Sequence, residues 1–157
     1  MGKSKKQHSL EDVICVGDYL VTEILPVLFP TSYAANDIVP GVEIEVMQDY
    51  PDNPDADAEI AVPSSGGAEL YLGRDFFKKD PSQQLDTLVH ECLHLLFRTH
   101  NDMLESWGTG ILDAPHQEQL DAVVCAAEHS VIRAMIPIVV AQVKRVGVLP
   151  GFERGGK

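Results

Sequence analysis

After a polar start, apolar residues recur at Val13, Val16, Leu20, Ile24 and Leu28, the spacing of a helix with one face on a core. Ser9, with Asp12 three residues on, has the form of a capping box at its start, and Pro30 ends it near Leu28. From Val42 to Met47 acid and apolar residues alternate, the period-two pattern of a half-buried strand. Residues 51–57, rich in Pro, Asp and Asn, form a loop, and Ile60–Val62 and Ala68–Leu72 flank Pro63-Ser64-Ser65-Gly66-Gly67 as an antiparallel hairpin. A small sheet of about three strands follows.

Helical spacing returns after Asp80-Pro81, where Asp is an N-cap, Pro the first helical residue and Gln83 the capping-box partner. The stripe of this helix is Leu85, Leu88, Cys92, Leu95 and Leu96. Thr99 to Pro115, with Gly108 and Gly110, reads as a loop. A further helix starts at Asp113 and Pro115 and runs at least to Met135, before Pro137, with Leu120, Val123, Val124, Ala127 and Val131 as its core face. The order predicts an α+β chain: an N-terminal helix, the small sheet, a second helix and a last, C-terminal one.

At 157 residues and 45% hydrophobic content the chain suits one compact domain over 1–157, with tails at 1–8 and 150–157. A net charge of −12 repels a phosphate backbone, and the only basic cluster is Lys3, Lys5 and Lys6, so no nucleic-acid partner is expected. Cys15, Cys92 and Cys125 are odd in number and lack a CxxC pair, which fits a reducing, cytoplasmic setting. The lysines at the start are not followed by an apolar run with a cleavage site, and Lys6 stands where a myristoylation signal needs Ser or Thr. The most apolar stretches, Val13–Phe29 and Val131–Val143, are broken by Asp18, Glu23, Pro26, Arg133 and Pro137, and no membrane span is expected.

The chemistry lies in His90-Glu91-Cys92-Leu93-His94. Histidines four apart on a helix project from one face a turn apart and can bind one tetrahedral ion. Glu91 is offset by about 100° of helix rotation, so it can hold a water beside the ion without ligating it. That is the place of a general base. Cys92 points away from the histidine face and reads as a small core residue.

Thr87-Leu88-Val89-His90-Glu91-Cys92-Leu93-His94 resembles the active-site helix of zincin metallopeptidases, in particular small gluzincin-like HExxH proteins of phages and bacteria. The resemblance covers roughly residues 58 to 135. It implies a zincin-like fold, a zinc cofactor, hydrolysis of peptide bonds in a peptide or protein substrate, Glu91 as catalytic base and His90 and His94 as ligands. It also implies an edge strand that holds the substrate, here Ala68–Leu72, and an acidic third ligand on the next helix. No intact NExxSD or ExxAN signature is present, so the third ligand stays open.

A catalytic zinc takes three protein ligands. Asp121, on the flank of the last helix's apolar face, ranks first; Glu118, one turn earlier, is close behind. His100 has the metzincin spacing, but those proteins need Gly where this chain has Phe97. His116 and His129 read as a first-turn residue and a solvated flank residue, with oxyanion stabilisation as a lesser role for one of them. Trp107 and Tyr71 read as packing residues. A second class of function is a zincin-like domain that binds metal in regulation or assembly, without turnover.

Overall fold

The computed structural model describes residues 9–31, 44–47, 57–61, 68–73 and 75–146. Helix α1 (Leu10–Tyr19) begins with the expected box: Asp12 N–H donates to Ser9 Oγ at 3.1 Å and Ser9 N–H to the Asp12 carboxylate at 2.9 Å. It continues through a π-helical turn, Leu20–Ile24, into α2 (Leu25–Leu28). Pro26 accounts for the wider turn, because it donates no hydrogen bond and its ring crowds the carbonyl one turn back. Val13, Val16, Leu20 and Ile24 are buried.

The sheet has the order β1-β3-β2, with β1 (Ile44–Met47), β2 (Ala58–Ala61) and β3 (Ala68–Leu72). β2 and β3 are antiparallel, with Ile60 opposite Leu70, and β1 runs parallel to β3. Ala68–Leu72 is therefore the central strand, not the edge strand expected. Among the described residues the edge nearest the histidines is β2. Ala68, Leu70 and Leu72 are buried at alternate positions. The expected turn at 63–67, the loop before Asp57 and both tails lie outside the described residues.

A short 3₁₀ turn, Phe76–Lys78, leads to α3 (Pro81–His94) and is held by the buried Gln84, whose Nε2 donates to the Phe76 carbonyl at 3.2 Å. Asp80 caps α3, accepting from the Ser82 and Gln83 N–H groups. Leu85, Leu88, Val89, Cys92 and Leu93 are buried, so α3 is covered on nearly every side but that of His90 and His94.

The expected loop after Thr99 is instead helix α4 (Arg98–Ile111), ended by Leu112 N–H donating to the Gly108 carbonyl. Gly108 is a packing position, since a Cβ there would strike the Gln117 side chain. Met103, Trp107 and Ile111 form an exposed row along α4, so Trp107 is not a core anchor.

Helix α5 (Ala114–Val146) passes through Pro137, where the sequence pattern predicted a stop. Proline removes one hydrogen bond, and the buried Ile132, Val139 and Val143 on either side hold the helix together. The predicted core face is also corrected: Val123 is 67% and Val131 46% exposed, while Glu128, Ile132, Val139, Val140 and Val143 face inward. By length and composition α5 could cross a membrane, unlike the shorter stretch read from the sequence, although its inner face packs on α3.

Candidate metal centre

Helices α3 and α5 pack together and bring three imidazoles to one point. One ring nitrogen each from His90, His94 and His129 lie within 4.8 Å of one another, and the ring centroids stand 5.0–5.3 Å apart. This group could hold a metal ion. His129 thus occupies the place expected for Asp121, and its reading as a solvated flank residue is corrected.

The surroundings set the tautomers. His94 Nδ1–H donates to the Glu128 carboxylate at 2.6 Å, which leaves the Nε2 lone pair free. His129 Nδ1 donates to the Cys125 carbonyl at 2.8 Å, with the same consequence. His90 Nε2 lies 3.2 Å from His94 Nε2. Two nitrogens each about 2.05 Å from a tetrahedral ion are about 3.3 Å apart, so this pair already has a ligand spacing. Burial holds His90 down to about 4 from 6.5, reinforced by His94, His129 and Arg133 and opposed by Glu128. His90 is therefore neutral at pH 7, with a lone pair to offer.

Glu128 is 9% exposed and fully engaged: its second oxygen accepts from Asn101 Nδ2 at 2.7 Å. A carboxylate that fixes a histidine ring in this way orients it and makes it a better ligand. The donor set, its tautomers and this outer support fit a divalent transition metal.

Glu91 stands on the β2 side of the same cleft, which is lined also by Ala58, Glu59, Ile60, Leu95, Arg98, Asn101 and Asp102. Burial raises its carboxyl from 4.5 to about 8; a hydrogen bond from the Ile60 backbone and the charge of Lys79 pull the other way, and Glu59 adds to the rise. Cys92 is buried, its thiol pushed up to about 12 by burial, with the Glu91 charge adding to it.

The other candidates fall elsewhere. Asp121 is exposed and accepts from Gln117 Nε2 at 2.9 Å, and Glu118 is exposed near the start of α5. The side chain of His100 lies outside the described residues; Phe97 has φ −107°, so the chain leaves α3 without the glycine turn a metzincin needs. His116 pairs with Asp113 at the start of α5, and the Tyr71 hydroxyl donates to Glu69 at 2.6 Å. Sequence reasoning missed Glu128 and His129. The available signal was an acid in line with Val124 and Ile132, with a histidine beside it. Comparison with family models, curated proteins and solved structures returns no match to this chain.

Proposed function

We propose that the protein is a zincin-like, zinc-dependent peptidase. The observation that carries this reading is the convergence of His90, His94 and His129 beside a buried Glu91 in one cleft. Three imidazoles are a known ligand set for catalytic zinc. Bound there, zinc supplies Lewis acidity, which lowers the pKa of a water and polarises a carbonyl.

The residues of the chain do the rest. An extended peptide lies along the outer edge of β2, its main chain pairing with Ala58–Ala61, while Arg98 and Asn101 bound the opposite wall. Glu91, which the charge of a divalent ion held by the three histidines would keep ionised against its burial, takes a proton from the water as it adds to the scissile carbonyl carbon. It returns that proton to the amine as the C–N bond breaks. Glu128 and Asn101 keep the His94 ring in place throughout.

The second reading, a metal-binding domain with a regulatory or assembly role, draws on the hydrogen bond from Ile60 to Glu91, which would also suit a purely structural carboxyl. The deciding experiment loads the chain with zinc and follows cleavage of unstructured peptides. Cleavage abolished by Glu91→Gln at unchanged zinc content is expected. A zinc-loaded parent that cleaves nothing, or a mutant that retains turnover, ends the peptidase mechanism as stated.

A further inference from the structure

From Val124 to Ala141, α5 has an apolar face on both sides. Inward lie Ile132, Val139 and Val143; outward, Val131 and Ile138 are 46% and 57% exposed and alternate with the exposed Ala127, Ala134 and Ala141. A helix that is apolar all round is normally covered all round. The outward residues, starting from the half-buried Val124, stand at 124, 127, 131, 134, 138 and 141, alternating steps of three and four as in a 3.5-residue repeat. That repeat keeps a seam facing one partner helix along its length.

We infer that the outer face of α5 is a homodimer interface, in which two copies of the helix pack antiparallel, seam to seam. The seam is self-complementary in that direction. About a twofold axis between residues 132 and 133, Val131 of one copy opposes Ala134 of the other, Ile138 opposes Ala127 and Val124 opposes Ala141, a large side chain against a small one each time. The same twofold sets the basic end, Lys144 and Arg145, beside the acidic end, Glu118 and Asp121, of the other copy. A parallel pair would stack like charges at both ends instead. An isologous contact of this kind closes on itself and stops at two copies. His129 lies about 200° round the helix from Ala127 and Val131, so the pairing leaves the metal cleft open. The proposal does not depend on the peptidase reading.

Sedimentation equilibrium on the full chain tests the stoichiometry, and a dimer is expected. Val131→Glu with Ile138→Glu places four carboxylates in the seam, and we expect the dissociation constant to rise about 100-fold or more at unchanged helical circular dichroism. Spin labels report orientation without disturbing the seam centre, in a Cys15→Ser, Cys125→Ser background. Labels at Asp121→Cys should sit about 34 Å apart across the dimer, the length of 23 helical residues, whereas labels at Ser130→Cys, exposed on the flank of the seam near the twofold, should be close. A chain that is monomeric at every concentration, a dimer untouched by the glutamates, or close labels at 121 would each overturn the proposal. So would a monomer that binds phosphatidylcholine vesicles through this face. If the double variant fails to fold, the label distances on the otherwise intact seam decide.

Discussion

Asp121 and Glu128 are seven residues apart on α5 and lie on nearly the same side of it, since seven residues turn the helix by about 700°. Yet Asp121 is exposed and bonds only within its own turn, to Gln117, whereas Glu128 is buried and grips His94 and Asn101. The difference is about 10.5 Å along the helix axis. Helix α3 crosses α5 at Glu128 and His129, and a carboxylate of the right orientation two turns early meets only water. Rotation about a helix is a local property; the level at which two helices cross is not.

The sharpest way to break this comparison is to remove the side chains at the two levels. His129→Ala should lower zinc affinity by more than the ~100-fold that marks loss of an outer partner, while Asp121→Ala and Glu118→Ala leave it unchanged. A zinc competition titration measures all three, and a large loss in Asp121→Ala alone would restore the acidic-ligand expectation. Next in size, Glu128→Gln should weaken zinc binding by ~10 to 100-fold, because the amide can still reach His94 but no longer carries the charge that supports its ring. Asn101→Ala, which touches only the far oxygen of Glu128, should fall at or below the lower end of that range by the same titration.

A separate effect is on the pH dependence of the metal-free chain. His90 is held low in the fold, about 4 against 6.5, so its share of stability is present above 6.5 and is lost as pH falls toward 4. Glu91 is held high, about 8 against 4.5, so its share is present below 4.5 and is lost as pH rises toward 8. Between 4.5 and 6.5 the two slopes oppose each other. Thermal melts of the chelator-treated protein should therefore be highest in that window and decline above 6.5, and Glu91→Gln should flatten the decline. A parent whose melting temperature climbs steadily from 6.5 to 8 would show that the Glu91 carboxyl is not buried as described.

Much of the architecture was legible because it rests on local rules. The Ser9–Asp12 and Asp80–Gln83 boxes, the core stripe of α1 and the buried face of α3 all follow from neighbours three or four residues apart. Reading 99–115 as a loop failed because Gly108 and Gly110 signal a break locally, while in the structure Gly108 gives Gln117 room against α4. Proline 137 misled in the same way. Its local cost is one hydrogen bond, and the burial of Ile132, Val139 and Val143 outweighs it.

The sequence alone determined that His90 and His94 share one face of a capped, core-covering helix with Glu91 between them, because a four-residue interval leaves a helix little other geometry. Which strand borders the cleft, which of two apolar faces of α5 turns inward, and which residue joins the two histidines were decided only by the tertiary structure. Strand order depends on pairings between distant segments, and two equally apolar faces carry no periodic signal to tell inside from outside. His129 comes to lie beside the two histidines because α3 and α5 meet at its turn, with Glu128 buried between them, and no interval counted along the chain specifies where two helices meet.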